Sequence, residues 1–365
     1  MNRRAFLRRA GAASAAVALP LRASLLAQDP PPAGWRTFEV TTRVSVMSPA
    51  GPTRVWLPMP LIAETPFQKT LHNASGASNG GHVSFHDDRA LTTAMIMAEW
   101  PEGAAPVLSS TSRVAVRDYA TDLTAPARTD TVADRAGLAR YLQPSRFLPI
   151  DGIVKTTADS ITGRARTDVE KARAIYEWIV DNTFRDPAVR GCGLGDIRFM
   201  LESRNLGGKC ADLNALYVGL ARAAGLPARD VYGVRVAPSE RGFKSLGAAS
   251  PNVTKAQHCR AEVFLAGYGW TPVDPADVRK VVLEEPPGGL ALDSEPVTRA
   301  RARLFGSWEM NWIAYNFGHD VTLPGSAHGR LPFLMYPQCE TANGRLDPLD
   351  PDHFHYDITA QEARG

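Results

Sequence analysis

Three segments constrain this chain more than any other feature of its sequence. They read GGKCADLNALYVGLARAAGLPAR, QHCRAEVF and WTPVDPAD, and they place Cys210, His258 and Asp274 in this order along the chain. A cysteine attacks as its thiolate, so it needs a base that takes the thiol proton and a third group that orients this base. A cysteine, a histidine and a carboxylate can fill these three roles.

The residues that follow Cys210 favour a reactive thiol. Ala and Leu predominate between Ala211 and Ala224, and Gly225 and Pro227 come directly afterwards, which predicts a helix that ends at the glycine. Cys210 then lies at the helix N-terminus, where free backbone amides and the positive end of the dipole favour the thiolate. An amide of this first turn can also stabilise an oxyanion.

The histidine and aspartate segments predict a β-hairpin. Strand-forming residues occupy 258–265 and 269–273, and a turn centred on Gly267 separates them. Residues that oppose each other in an antiparallel pair share a face, as do residues two apart on one strand. A three-residue turn therefore places His258 and Asp274 on one face, whereas a two-residue turn would separate them. The catalytic interpretation requires the three-residue turn.

These segments resemble those of the bacterial transglutaminase-like superfamily of thiol enzymes over about residues 166–285. The resemblance implies a papain-like cysteine proteinase core of the α+β class. It also implies that Cys210 is the nucleophile, that His258 is the general base and acid, and that Asp274 orients the imidazole. Many members have an aromatic residue two positions after the histidine, where this chain has Arg260.

The predicted function is acyl transfer at an amide bond through a thioacyl intermediate on Cys210. The resembling superfamily contains cross-linking acyltransferases, peptidases, amidases and members without known activity. We favour peptide or amide hydrolysis, with a peptide or protein amide as substrate and cell-wall peptides among the candidates. Two alternatives stay open: a protein-cross-linking transglutaminase, and a non-catalytic binding module of the cell envelope.

Arg260 has two possible roles. Strand alternation places it on the same face as His258. Its guanidinium either lines the cleft, where it would favour a carboxylate-bearing substrate, or pairs with an acid such as Asp274, Asp277 or Glu262. We favour the structural pairing, because a cation beside the histidine would lower the imidazole pKa.

Four cysteines are too few for a disulfide scaffold in a chain of 365 residues. Cys259 alternates with His258 along the strand, so we expect it in the core. If the nucleophile stays free, a single bridge from Cys192 to Cys259 or to Cys339 is compatible with the sequence. The sequence does not decide between these pairings.

The N-terminus predicts export. Arg3 and Arg4 precede an apolar pair, and a short apolar run follows from Ala10 to Leu21, as in twin-arginine signals. Cleavage is expected near Ala27, although Leu25 fits the small-residue rule poorly and leaves an uncleaved anchor as an alternative. The predicted location is the periplasm or another extracytoplasmic space.

The predicted signal peptide, residues 1–27, also accounts for the basic character of the chain. It holds five arginines and no acid, so its removal takes the formal net charge from +3 to −2. The mature chain has no cluster of lysines and arginines typical of nucleic-acid binding. We therefore expect no nucleic-acid partner and no integral membrane span in the mature form, and no motif indicates a cofactor or a metal.

Residues 28–130 are predicted to form an antiparallel β-sandwich domain. Short strand-forming segments recur there between Gly, Pro and Asn residues. The predicted strands are Thr37–Val46, Thr53–Leu57, His82–Phe85, Thr92–Glu99 and Ser112–Tyr119.

Helical patterns begin after about Thr131 and suggest an α+β domain over residues 131–290. Thr167 and Glu170 form a capping-box signature at the start of one helix. We interpret residues 291–365 as a C-terminal extension that packs on the core.

Two patterns in the C-terminal extension bear on its structure. Trp308, Trp312 and Tyr315 recur at i, i+4 and i+7, which predicts a helix that faces the core. His353 and His355 are metal-ligating residue types without a Cys/His cluster around them, so they do not predict a zinc site.

Overall fold

The computed structural model describes residues 34–47, 49–89, 92–128 and 135–363. The predicted signal peptide lies outside these residues. Within the described ranges, no helix combines the length and the apolar character that crossing a membrane requires.

The first part of the described chain is built from strands. Apolar and polar residues alternate in several of them, and in the sixth strand every second residue from Leu108 to Val114 is buried. The strands are β1 (Arg36–Val46), β2 (Thr53–Pro58), β3 (Gln68–Ala77), β4 (His82–Asp88), β5 (Thr93–Trp100), β6 (Val107–Val116) and β7 (Tyr119–Ala120).

Helices and strands then alternate. The predicted capping box is confirmed, because the Thr167 hydroxyl accepts from the Glu170 amide and the Glu170 carboxylate accepts from the Thr167 amide. The elements are α1 (Arg135–Ala139), α2 (Gly152–Thr162), α3 (Asp168–Asn182), β8 (Phe184–Arg185), α4 (Ile197–Ser203), β9 (Gly207–Gly208), α5 (Cys210–Ala223), β10 (Ala228–Arg235), β11 (Gln257–Leu265), β12 (Gly269–Val273), α6 (Pro275–Glu284), α7 (Glu295–Arg303), β13 (Ser307–Trp308), β14 (Trp312–Asn316), β15 (Gln338–Thr341), β16 (Gly344–Arg345) and β17 (Phe354–Glu362).

Two antiparallel sheets form the predicted sandwich. One has the strand order β17-β1-β6-β3, and the other has the order β16-β15-β2-β5-β4. Val44 and Leu108 from the first sheet and Leu57 and Ile96 from the second belong to one apolar core. Burial of this shared core, worth roughly 25 cal/mol per Å² of apolar surface, holds the two sheets together.

Two strands of the sandwich differ from the sequence prediction. The sequence predicts no strand at Gln68–Ala77, but β3 lies there. The strand is missed because an edge strand with an exposed polar surface shows little apolar alternation in its sequence. The strand predicted at Ser112–Tyr119 instead spans Val107–Val116. Its first half is rich in Ser and Thr, and the hydroxyls of Thr41 and Thr111 hydrogen-bond across the sheet at 2.8 Å.

A third antiparallel sheet, with the order β12-β11-β10-β14, positions the site. Helix α5 packs on it, and residues of α5 and β11 such as Leu216 and Ala261 share one apolar core. Every residue of α5 is buried, so this helix is covered on all sides. The fold is of the α+β class, as predicted.

The helix predicted from Trp308, Trp312 and Tyr315 is wrong. These residues lie in the short strands β13 and β14, with all three side chains buried. Strand β14 is covered on both faces, so it shows no polar alternation that would distinguish a strand from a helix in the sequence. The expectation that the three aromatic residues face the core is correct.

Residues 291–365 contribute strands to both parts of the fold. Strand β14 joins the sheet of the site, β15 and β16 extend one sandwich sheet, and β17 pairs with β1 in the other. The chain from Pro31 onward clusters as one compact unit. The domain boundaries near residues 130 and 290 stay a prediction.

Candidate active site

Cys210 is the first residue of α5, and its thiol is buried beneath the surface of a cleft. The helix ends at Ala223, and Gly225 follows with a φ of +86°, a left-handed conformation that glycine adopts without strain. The helix predicted from the sequence is therefore present with the cysteine at its N-terminus.

Asp212 fixes the backbone around this helix start. Its carboxylate accepts hydrogen bonds from the amides of Lys209 at 3.0 Å and of Leu194 and Gly195 at 2.9 Å each. Gly193 precedes these amides with a φ of +93°, and a Cβ atom there would lie 1.8 Å from an Asp212 oxygen. The loop before α4 is thus tied to the turn that presents the thiol.

The β11–β12 hairpin has the three-residue turn that the catalytic interpretation requires. Leu265 pairs with Gly269, and the register centres on Gly267, which has a φ of +81°. His258 and Asp274 consequently lie on one face. The Nε2 atom of His258 donates to Oδ2 of Asp274 at 2.7 Å, with both side chains buried.

Asp274 is held on three sides. As the residue that caps α6, it accepts at Oδ1 from the amide of Asp277 at 3.1 Å. The same oxygen accepts from Nδ2 of Asn214 at 3.2 Å, and that amide nitrogen also donates to the carbonyl of Cys259. Burial raises the pKa of Asp274, as does the neighbouring charge of Asp277, against the opposing effects of His258 and Arg260.

Asp277 is a second carboxylate beside the histidine, and the sequence analysis missed this role. Its Oδ1 lies 3.3 Å from Nε2 of His258, and its two oxygens accept from Nη2 of Arg235 at 2.6 and 2.8 Å. Because Nε2 faces both carboxylates, Nδ1 is the ring nitrogen left for a thiol. The signal in the sequence was the spacing of three residues from Asp274 to Asp277, which places both in the first turn of α6.

The charges of the thiol and the imidazole are coupled. Burial and Arg235 act to lower the pKa of His258, but the charges of Asp277 and Asp274 and the hydrogen bond to Asp274 outweigh them and raise this pKa to about 9. Hydrogen bonds from the thiols of Cys192 and Cys259, together with His258, hold the pKa of the Cys210 thiol well below its usual value. Both shifts favour a thiolate beside an imidazolium.

The four cysteines all carry free thiols, so neither of the two pairings open from the sequence is formed. Cys192 donates from its sulfur to the carbonyl of Gln257 at 3.4 Å and lines the cleft. Cys259 is fully buried, with its sulfur 3.9 Å from that of Met335, which confirms the expected core position.

Arg260 has the structural role that the sequence analysis favoured. Its side chain is buried and does not line the cleft. Nη1 donates to the carbonyl of Glu309 at 3.0 Å, the guanidinium lies 4.8 Å from the ring centroid of Trp312, and Nε lies 3.7 Å from Oδ2 of Asp274. Burial and Arg235 lower the pKa of Arg260 to about 10.

The cleft beside Cys210 and His258 has a volume of about 590 Å³. His258, Asp274 and Asp277 present ligand atoms within 4.8 Å of one another, so they could hold a cation by residue type. Arg235 and Arg260 already supply positive charge to this group. His353 and His355 instead pair separately with Asp350 at 2.8 Å and Asp357 at 3.0 Å.

The sequence of this chain is similar to those of known proteins. Residues 155–275 match the model of the transglutaminase-like superfamily. A protein of Haemophilus influenzae, described as uncharacterized, is 33% identical over 344 residues, which cover 89% of this chain and 91% of that protein.

Two solved structures are also similar. A candidate cysteine protease from Cytophaga hutchinsonii has a TM-score of 0.53 at 16% identity, over 90% of this chain and 98% of that one, and it shares the fold. The periplasmic domain of TgpA from Pseudomonas aeruginosa has a TM-score of 0.33 at 18% identity, over 68% of this chain and 88% of that domain.

Proposed function

Because this chain belongs to one family with the Haemophilus influenzae protein and contains a transglutaminase-like superfamily domain, we propose that it is a thiol enzyme that cleaves amide bonds by acyl transfer. The observation that carries the proposal is the 2.7 Å contact between buried Asp274 and His258, which lines the cleft together with Cys210. The three side chains meet the requirements of a nucleophile, a proton carrier and an orienting group.

In the proposed reaction the Cys210 thiolate attacks the carbonyl carbon of a substrate amide. The tetrahedral intermediate collapses when the C–N bond breaks, and the imidazolium of His258 gives its proton to the leaving amine. A thioester on Cys210 remains. Water then attacks the thioester, the neutral imidazole takes its proton, and the carboxylic acid product and the thiolate are released.

The surrounding residues support these steps. Asp274 and Asp277 hold Nε2 of His258, so that Nδ1 carries the proton to and from the substrate. The Ala211 amide donates to the carbonyl of Cys192 at 2.9 Å, which makes the Cys210 amide the candidate oxyanion donor in this turn.

A screen of peptides, isopeptides and cell-wall fragments tests the proposed function, with Cys210→Ser as the control. We expect release of an amine from at least one class by the wild type and loss of about 10³-fold or more in the variant. An added primary amine separates the two outcomes, because transfer yields a new amide and hydrolysis yields a free acid. Equal turnover by the variant, or no thioester with any class, would contradict the proposal and favour a binding module.

We further propose export of this enzyme from the cytoplasm. The support is Arg3 and Arg4 ahead of the apolar run from Ala10 to Leu21. Replacement of both arginines by lysine in the full chain should leave the protein in the cytoplasmic fraction of a bacterial host. Unchanged recovery from the periplasm would refute the twin-arginine route.

A further inference from the structure

The cleft beside the thiol has a strongly one-sided charge. Among the described residues that line it, none is an acid, whereas several are permanent cations. The six lysines and arginines of the lining are Arg185, Arg190, Lys209, Arg235, Lys255 and Lys280. They come from separate parts of the chain, so no run of basic residues marks them in the sequence.

Arg235 is the cation whose charge is most fully compensated. Its Nη2 atom bonds both oxygens of Asp277, and both side chains are buried. The same carboxylate also faces His258 at 3.3 Å. The Asp277 carboxylate therefore balances the charge of Arg235 and, when His258 is protonated, part of the charge of its imidazolium.

Three further cations share two carboxylates at the edge of the cleft. Arg185 and Lys280 both contact Glu284, the lysine at 3.5 Å, and Arg190 pairs with Asp347. Burial and the neighbouring Arg235 lower the pKa of Lys280, as expected where cations crowd. In the described chain these three cations have only two carboxylates, Glu284 and Asp347, as ion-pair partners within 4.0 Å.

Lys209 and Lys255 add two more positive charges. Neither forms an ion pair within 4.0 Å with an acid of the described chain, and Lys209 directly precedes the nucleophile. Lys255 lies on the loop that leads into β11, three residues before His258, and is exposed to solvent. Both therefore can meet an incoming anion without first breaking an ion pair.

We propose that this site takes acyl substrates that carry a carboxylate close to the scissile amide. The proposal rests on the proposed function of Cys210 and deepens it by naming the substrate class. Cations that line a cleft concentrate the field there, which raises both the local concentration and the productive orientation of an anionic substrate. Acidic side chains and a free C-terminal carboxylate supply the same chemistry.

Alkylation of Cys210 tests the charge preference without a known substrate. Iodoacetate carries the carboxylate and iodoacetamide is its neutral match, and the same thiolate attacks the methylene carbon of either reagent and displaces iodide. The ratio of their rate constants, measured on the Cys210 peptide by mass spectrometry, therefore cancels any change in the thiol pKa. We expect this ratio to exceed that of free cysteine and to fall as salt is added.

The variant Lys209→Gln/Lys255→Gln should lower the iodoacetate-to-iodoacetamide ratio by about fivefold or more, because two nearby charges are lost. Lys155→Gln is the matched control, since this exposed lysine of α2 lies outside the cleft and should leave the ratio unchanged. Peptide substrates then distinguish the sources of the carboxylate: one arm replaces Asp and Glu by Asn and Gln, and the other amidates the C-terminus.

The outcomes separate the inference from the proposed function. A ratio equal to that of free cysteine, or the same in wild type and the double variant, overturns the anionic preference and leaves the nucleophile assignment standing. If neither reagent alkylates Cys210, the result contradicts both the anionic preference and the assignment of Cys210 as the nucleophile. A lowered ratio in the double variant with an unchanged Lys155→Gln control supports the preference.

Discussion

Nε2 of His258 lies 2.7 Å from Oδ2 of Asp274. The three-residue turn of the β11–β12 hairpin places the two residues on the same face. The contact fixes the imidazole in one orientation and leaves Nδ1 for the thiol. The proposed mechanism depends on this orientation, so substitutions that disturb it separately from the fold give the clearest tests.

Asp274→Asn should keep the fold and lower kcat/KM by about 10²- to 10⁴-fold, because asparagine still caps α6 but no longer stabilises the imidazolium. Thermal unfolding and steady-state kinetics on one amide substrate check both parts. An unchanged kcat/KM in a folded variant would show that Asp274 does not orient the base.

Activity should depend on pH through His258. Its pKa is raised to about 9, so we expect kcat/KM to fall above that pH as the leaving amine loses its proton donor. The raised pKa also stabilises the folded state fully below the usual histidine value of 6.5, and this stabilisation is lost as the pH rises through about 9. Kinetics and melting temperatures between these limits measure both effects, and a basic limb near 6.5 would contradict the assignment.

Asp277→Asn should destabilise the fold more than Asp274→Asn does. It leaves the buried guanidinium of Arg235 without its partner, which costs about 3–5 kcal/mol. The free energy of unfolding from denaturant titration tests this, with the exposed Asp159→Asn as the control. In any folded fraction the basic limb of kcat/KM should move to lower pH, because one of the carboxylates that raise the pKa of His258 is gone. Equal stability of Asp277→Asn and wild type would argue against the buried pair.

Arg260→Lys should lower stability and affect acidic and neutral substrates alike. Lysine cannot reproduce both the bond to the Glu309 carbonyl and the stacking on Trp312, so we expect a loss of about 1–3 kcal/mol. A fall in kcat/KM confined to acidic substrates would instead place Arg260 among the residues that bind substrate. Under the proposed charge preference, Lys255→Gln should instead lower kcat/KM for the acidic substrate alone, and it serves as the comparison.

The parts of the site that the sequence predicted are those set by local rules. The composition between Cys210 and Gly225 is that of a helix with a glycine stop, and the parity about Gly267 determines which hairpin residues share a face. Both signals lie within about twenty residues of chain. Both can therefore be recognised without knowledge of the tertiary structure.

The parts that could not be predicted depend on contacts between distant segments. Arg235 reaches Asp277 only because β10 pairs with β11 in one register, and the lysines of the cleft come from α6 and from two separate loop segments. Trp312 lies in a strand buried on both faces, where the sequence shows no alternation. Asn214 could have been predicted from the sequence, since it lies one helical turn after Cys210 and so on the same face of α5.

The central claim is that Cys210 is a thiolate nucleophile at neutral pH, and the ultraviolet absorbance of the thiolate tests it most directly. The difference between wild type and Cys210→Ser should contain the thiolate band at pH 7 and lose it only in an acidic transition well below 9, the usual value for a cysteine thiol. If the band emerged only as the pH approached 9, Cys210 would be an ordinary buried thiol, and the proposed mechanism would be wrong.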